Sequence, residues 1–345
     1  MTKKPTIRDV ARESGVSVAT VSRILNEKPD VSEETRAKVL DAIDRLGYAR
    51  NMQWRQLTTG KSQVISLHYP NRQVSVNQVS LDFITGATTA CEERDYSLHL
   101  VTQSLNEKSI LDLYRTNKCD GMILMEIELE DWRVELLSEQ QLPFVTIGHC
   151  KNSKNVSFID YDIESAAVVV INHLVALGHH NIGFVSIMPA PDFKQYGHTV
   201  RALRGYRKTC DELNLPQFYC ETDHQLLNVK QAAMDMLGRN PEITAVVSVA
   251  DIAMAGIFGA IQEMGLTIPD DISVVGLTNR QGAELTNPPF TALDFPARTM
   301  GYEAGRMLIE RLEGTLRGIK QILIKPTLTV RASTGPARPR VHEKA

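Results

Sequence analysis

Residues 6–26 read Thr-Ile-Arg-Asp-Val-Ala-Arg-Glu-Ser-Gly-Val-Ser-Val-Ala-Thr-Val-Ser-Arg-Ile-Leu-Asn. Ile7, Val10 and Ala11 lie at i, i+3 and i+4, and Val21, Ile24 and Leu25 repeat the spacing, which gathers apolar side chains on one face of each of two short helices. Only Ser14-Gly15-Val16-Ser17 separates them, so the helices must cross steeply. Ala11 is small where they would touch, Gly15 can take the positive φ of the turn, and Val21 fills the gap beneath. Ala-x3-Gly-x5-Val is the spacing of a helix-turn-helix, whose second helix enters the major groove of DNA.

The surrounding residues agree. Val39, Ala42, Ile43 and Leu46 make a third apolar stripe. Thr6 with Asp9 has the form of a capping box, Ser17 can cap the second helix, Ser32-Glu33-Glu34 opens the third, and Gly47 can stop it. A bare three-helix bundle has the same spacing. The face carrying Ser17, Thr20, Ser22, Arg23 and Asn26 favours a DNA role, since it offers groups for phosphates and base edges and no carboxylate. Charge points the same way: residues 1–61 hold 12 Lys/Arg against 8 Asp/Glu, and the remaining chain 26 against 33. A basic head on an acidic body suits a polyanionic partner.

With Val31-Ser-Glu-Glu-Thr-Arg36 and Leu46-Gly-Tyr48, the opening stretch resembles the headpiece of the lac/galactose repressor family. The resemblance implies that Val18, Ala19 and Arg23 face base edges, and that Thr6, Ser17, Ser22, Asn26 and Tyr48 position phosphates, with Thr20 on the same face. It also makes residues 50–61 a hinge helix that orders on the operator, where Leu57 would wedge into the minor groove and Arg55 matches the preceding basic residue. Trp54 stands where the family usually has alanine.

From residue 64 onward, apolar runs at 64–69, 97–102, 121–125, 144–148, 182–187, 245–249 and 273–277 alternate with helical patterns at about 81–95, 161–177, 197–214, 228–238, 251–264 and 296–313. That alternation predicts an α/β body of parallel sheets, and its length predicts two lobes with a cleft between them. The family resemblance continues through Cys119-Asp-Gly-Met-Ile-Leu124, His173-Leu-Val-Ala-Leu-Gly-His179, Asn287-Pro-Pro289 and Arg331-Ala-Ser-Thr334, and implies a periplasmic-binding-protein type I body closing over a small effector. The expected organisation is a headpiece at 1–49, a hinge at 50–61, a two-lobed body at 62–335 and a flexible tail at 336–345.

Three positions where the family carries sugar-hydroxyl partners differ in this chain: Ala202 stands for an arginine, Ala250 for an asparagine before Asp251, and Thr278 for an aspartate. Arg201, His149 and Asn279 are the neighbours able to substitute, and Tyr69, Asn71, Phe83, Phe193 and His224 are further candidates near the cleft. The implied effector is a carbohydrate or a derivative; a partner protein or a phosphorylated metabolite is the alternative.

No enzyme motif competes. GxSxG, GxGxxG and HExxH are absent, and Gly60-Lys61-Ser62 lacks the first glycine of a phosphate loop. His179-His180 reads as a loop pair, not a chelate, and Asp160 and Asp162 as helix caps after a strand. No metal or cofactor is expected. A solute-binding protein of the same body fold is the rival class. The charged N-terminus does not read as a secretory signal, no apolar run reaches membrane-spanning length, and five cysteines without CxxC spacing fit a reduced compartment. The expectation is a cytoplasmic homodimer, nucleoid-associated when bound to a near-palindromic operator.

Overall fold

The computed structural model describes residues 5–25, 31–48, 61–70, 78–187 and 196–338. The chain divides into two units, residues 1–62 and 63–345.

The first unit holds α1 (Ile7–Ser14), α2 (Val18–Leu25) and α3 (Glu33–Leu46). The Asp9 carboxylate accepts from the Thr6 amide at 2.9 Å and the Thr6 hydroxyl at 2.7 Å, which fixes the start of α1. Gly15 closes that helix at φ 70°, a left-handed conformation that a side chain would oppose. Ser17 Oγ accepts from the Thr20 amide at 3.0 Å and so caps α2. Ile7, Val10, Ala11, Val21, Ile24, Val39, Ala42 and Tyr48 form one small core.

The second unit contains two six-stranded sheets. In the first lobe, β1 (Val64–His68), β2 (Ser97–Val101), β3 (Gly121–Leu124), β4 (Phe144–Ile147) and β5 (Phe158–Tyr161) are wound by α4 (Gln78–Glu92), α5 (Glu107–Arg115) and α6 (Trp132–Glu139). After α7 (Ile163–Ala176) the second lobe is built from β6 (Ile182–Ile187), α8 (Gly197–Glu212), β7 (Phe218–Thr222), α9 (Leu226–Arg239), β8 (Ala245–Ser248), α10 (Ala253–Glu263), β9 (Ser273–Thr278), α11 (Arg280–Glu284) and β10 (Thr291–Asp294). The chain then returns through α12 (Ala297–Leu312) to β11 (Gln321–Ile324), and crosses again to end in β12 (Leu328–Thr329). The strand orders are β11-β5-β4-β3-β1-β2 and β12-β10-β9-β8-β6-β7. Every pairing is parallel except β10 with β12.

Strands β3, β4 and β8 are buried at every residue because helices cover both sheet faces. Helix α12, arriving from the second lobe, lies tightly on α4: a Cβ added to Gly86 would collide with the Arg298 carbonyl, and one on Gly301 with the Phe83 carbonyl. Deleting those side chains is what lets the two backbones meet, and it ties the returning chain to the first lobe.

Several elements are shorter or less apolar than the runs picked from the sequence. β7 and β11 are sheet edges whose residues alternate in exposure, and β5 and β10 each carry an aspartate within an otherwise apolar run. Of the expected flexible tail, the Ala337 amide donates to the Leu177 carbonyl at 2.9 Å and Arg338 pairs with Asp270 at 2.9 Å. These bonds hold its first residues to the body, a correction to the expected boundary; residues 339–345 lie outside the described residues. All five cysteines are free thiols, and burial pushes Cys91 up to about 12 and Cys119 to about 11.

Candidate DNA-reading head and effector cleft

On α2 the core takes Val21 and Ile24, which leaves the opposite face outward. Ser17, Ala19 and Arg23 are exposed, and Val18, Thr20 and Ser22 are half-buried. Not all are equally available. Ser17 Oγ and Thr20 Oγ1 lie 2.9 Å apart in the cap, and the Thr6 hydroxyl proton is engaged by Asp9. Tyr48 is only 9% exposed, its ring held in the head core. Arg23 is the long cation on this face, and α2 carries no carboxylate. Its first-turn amides add a positive end suited to a phosphate. Asn26, Trp54, Arg55 and Leu57, with the hinge, lie outside the described residues.

In the body a cavity of about 230 Å³ opens between the lobes, at the C-terminal ends of the strands, where open α/β sheets bind ligands. Tyr69, Phe83, Arg201, His224 and Asp251, all named from the sequence, line it. Phe83 meets Phe295 edge-on at 5.8 Å, and Tyr161 meets the same ring at 5.2 Å. Tyr69 turns its hydroxyl onto Ser80 Oγ at 3.0 Å. Burial, reinforced by the charge of Glu126 and offset by the Ser80 bond, raises the Tyr69 phenol above its usual range. Burial also raises the Asp251 carboxyl, against a lowering hydrogen bond from Thr278.

Other candidates fall elsewhere. Asp160, on β5, lines the cavity, and its Oδ2 accepts from His149 Nδ1 at 2.6 Å and Arg201 Nη2 at 3.0 Å. Arg201 Nη1 also donates to the His149 carbonyl at 3.0 Å, while its buried Nε has no hydrogen-bond partner among the described residues. Burial pushes the Arg201 guanidinium below its usual range although Asp160 opposes the shift. His149 itself stacks on Phe158 at 5.0 Å and does not line the cavity. Thr278 is buried beside Asp251, away from the lining. Asn279 caps α11 through the Gly282 amide at 2.8 Å and donates Nδ2 to Asp82 across the lobes at 2.9 Å. A second crossing joins the Gly197 amide to the Ile127 carbonyl at 3.0 Å. Asn71 and Phe193 lie outside the described residues.

Of the three altered positions, Ala250 lines the cavity and Ala202 is buried off it. The sequence reading missed Asp160 as a cleft residue, along with Tyr161, Phe295 and Met300. The helix cap it assigned there is made by Asp162 alone, which accepts from the Ser165 amide at 3.1 Å. His179, from the suspected loop pair, is buried and bonds Thr244 at 2.8 Å and the Gly335 carbonyl at 3.1 Å. Among the described residues no group of three His, Cys, Asp or Glu could hold a metal ion, and no helix is long and apolar enough to cross a membrane.

Residues 6–51 match the model of bacterial regulatory proteins of the lacI family, and residues 171–334 that of a periplasmic binding protein-like domain. The HTH-type transcriptional regulator MalR of Streptomyces coelicolor is 32% identical over 96% of this chain and 97% of its own length. Among solved structures, the lac repressor dimer bound to operator and an anti-inducer matches 96% of this chain and 100% of that one, with a TM-score of 0.83 at 23% identity. The regulator CelR in complex with cellobiose matches 95% and 99%, with a TM-score of 0.71 at 24% identity. The chain belongs to the lacI family of bacterial regulatory proteins. It is a DNA-binding transcriptional regulator whose body has the periplasmic-binding-protein fold.

Proposed function

We propose that this regulator represses transcription as a homodimer on a near-palindromic operator, and that a small effector, a carbohydrate or a derivative of one, sets its affinity from the interlobe cleft. The head at 1–49 reads DNA, with Arg23 and Ala19 toward base edges, Val18 beside them, and Ser17, Thr20, Ser22, Asn26, Thr6 and Tyr48 toward phosphates. The hinge at 50–61 supplies Arg55 and Leu57 to the minor groove. In the cleft Tyr69, Phe83, Arg201 and Asp251 touch the effector, with Asn71 and Phe193 beside them. His149, Thr278 and Asn279 act by holding Asp160, Asp251 and Asp82. The acid-free outer face of α2 carries the DNA reading.

Paired half-sites multiply the few base contacts one head can make. An effector acts only through its different affinities for two conformations, and the interlobe bonds of Asp82 and Gly197 are contacts that such conformations would differ in. No catalytic role is assigned to any residue. In the cell the protein is placed in the cytoplasm, on the nucleoid when bound to operator.

Selection of genomic DNA fragments by the purified full-length protein, followed by sequencing, tests the reading. Enrichment of a palindrome of about 16–20 bp, the scale of two half-sites, is expected. No enrichment at any salt concentration, with and without candidate effectors, would remove it.

A further inference from the structure

Among the described residues, six other than glycine take a positive φ: Gln63, Asp95, Asn117, Glu126, Gln141 and Asn214. Gln63 precedes β1, and Asp95, Asn117, Gln141 and Asn214 sit in the turns that close α4, α5, α6 and α8. A left-handed residue is an ordinary way to end a helix. Glu126 ends no helix. It stands two residues past β3, at φ 53°, and its side chain lines the cleft. A glutamate gains nothing locally from that conformation: its Cβ crowds the following carbonyl, and its side chain is too long to bond its own backbone as asparagine does.

The turn is held at four successive residues. The Met125 amide donates to the His68 carbonyl at 3.0 Å, and Arg133 Nη2 donates to the carbonyls of Met125 at 3.1 Å and Glu126 at 2.9 Å. The Ile127 carbonyl accepts from the Gly197 amide at 3.0 Å, and the Glu128 amide donates to the Asp131 carboxylate at 3.1 Å. Arg133 and Asp131 are themselves a buried ion pair, which is costly to desolvate. A strained residue persists only where its surroundings over-determine it in this way, and such residues gather where ligands are gripped.

The side chain is well placed for that. β3 lies inside its sheet beside β1, which Tyr69 follows. The Glu126 charge acts on the Tyr69 phenol, so both groups share one wall at the strand ends, where open α/β sheets bind ligands. We propose that Glu126 is an effector contact, kept in a strained backbone because its carboxylate accepts from hydroxyl groups of the carbohydrate. The two oxygens can take two neighbouring hydroxyls of one sugar ring at once. This rests on the cleft being the effector site.

Thermal unfolding of the full-length protein without DNA tests it, first alone and then with glucose, galactose, maltose, cellobiose or lactose at about 10 mM. Each sugar that raises the transition is then titrated by calorimetry. Without sugar, Glu126→Gly should raise the transition by about 1–2 °C, because it relieves the backbone. Gln141→Gly, at a helix end, should do the same, and Glu126→Gln should leave the transition in place. At least one sugar should bind the wild type, with affinity falling at least about tenfold in Glu126→Gln and Glu126→Gly and unchanged in Gln141→Gly. A sugar-free transition lowered by several degrees in both Glu126 variants would make the carboxylate a structural prop and overturn the proposal. Equal binding by wild type and Glu126→Gln would overturn it too, and would leave the cleft as the sugar site. No binding of any sugar to the wild type would remove both readings, and the operator selection would still report on the DNA-reading head.

Discussion

The head and the body of this chain work by opposite means. The head closes a core of eight buried residues, seven from three helices and Tyr48 just after the third, within about forty positions of one another, and its function lies in what it leaves outside: Arg23, Ala19 and the acid-free face of α2. The body encloses its function. Its cavity is assembled from Tyr69, Asp160, Arg201, Asp251 and Phe295, residues separated by more than two hundred positions and brought together by three crossings between two sheets. An exposed reading face tolerates change wherever the core beneath survives. An enclosed cavity depends on every strand that frames it.

The largest effect expected is on the head. Val21 is fully buried, and Val21→Asp sets an unpaired carboxylate in a core too small to rearrange around it, a change costing upwards of about 4 kcal/mol. Operator affinity should fall about a thousandfold, to the non-specific level, while calorimetric binding of a cleft ligand stays unchanged. Loss of ligand binding as well would erase the division between the two units.

The body's counterpart is Arg133, 3% exposed, which donates Nη2 to Asp131 at 2.6 Å and also binds the carbonyls of Met125 and Glu126. Its Nη1 lies 3.2 Å from His68 Nδ1. A guanidinium can only donate, so Nδ1 accepts and Nε2 carries the proton given to the Gln103 carbonyl at 3.2 Å. Burial alone would raise the Asp131 carboxyl, but the hydrogen bonds and charge of Arg133, with the Glu128 and Arg133 amides, outweigh it and hold the carboxyl below the usual range. A depressed carboxylate adds stability above its unfolded pKa, near 4, and loses it as pH falls through the folded value. Arg133→Ala strands Asp131 as a buried, unpaired charge and should cost about 3–5 kcal/mol in the body transition at neutral pH. The deficit should begin to shrink above about pH 4, because burial without Arg133 raises the stranded carboxyl so that it protonates in the folded state. It should go on shrinking below about pH 4, as the wild-type carboxylate is protonated in turn. A deficit that does not change with pH would assign the cost to lost packing.

The same contrast explains what could be read from sequence. The head was legible because each decision in it is local: Ala11, Gly15 and Val21 fix the turn by their spacing, and Thr6 and Asp9 fix the first cap. Strands β3, β4 and β8 were legible because burial on both faces leaves an unbroken apolar run. β10, which is short and ends in Asp294, was not, and β5 was read only as a strand ending near Asp160; the cleft positions of Asp160, Tyr161 and Phe295 went unread with them. Asp160 looks like a helix cap until folding brings Arg201 and His149 to it from 41 and 11 positions away. Nothing in a linear pattern marks that convergence.

Arg23→Ala then asks whether the exposed face reads sequence or only charge. A base contact carries about 1–3 kcal/mol of discrimination, so operator affinity should fall roughly five- to 150-fold in a gel-shift titration, with a smaller loss on random DNA. Equal losses on both would make Arg23 a phosphate contact.

The smallest effect is the most specific to the enclosed region. Asn279 and Asp82 join the two lobes through one hydrogen bond, and Asn279 also caps α11. Asp82→Ala removes the crossing and leaves the cap, so it isolates the interlobe bond from the stability of the second lobe. A hydrogen bond to a carboxylate on a partly exposed surface contributes about 0.5–1.5 kcal/mol, and the thermal transition should move little. If the bond belongs to one of two lobe arrangements, its loss biases the other, and ligand affinity should change by about two- to tenfold with no residue of the cavity wall altered. The sign identifies the arrangement: weaker ligand binding means that the joined lobes are the form the ligand prefers, and tighter binding means that they oppose it. Unchanged affinity would show that Asp82 and Asn279 stay within reach in both arrangements, and would shift attention to the other crossings, the Gly197–Ile127 bond and the bonds of Arg201 to Asp160 and the His149 carbonyl.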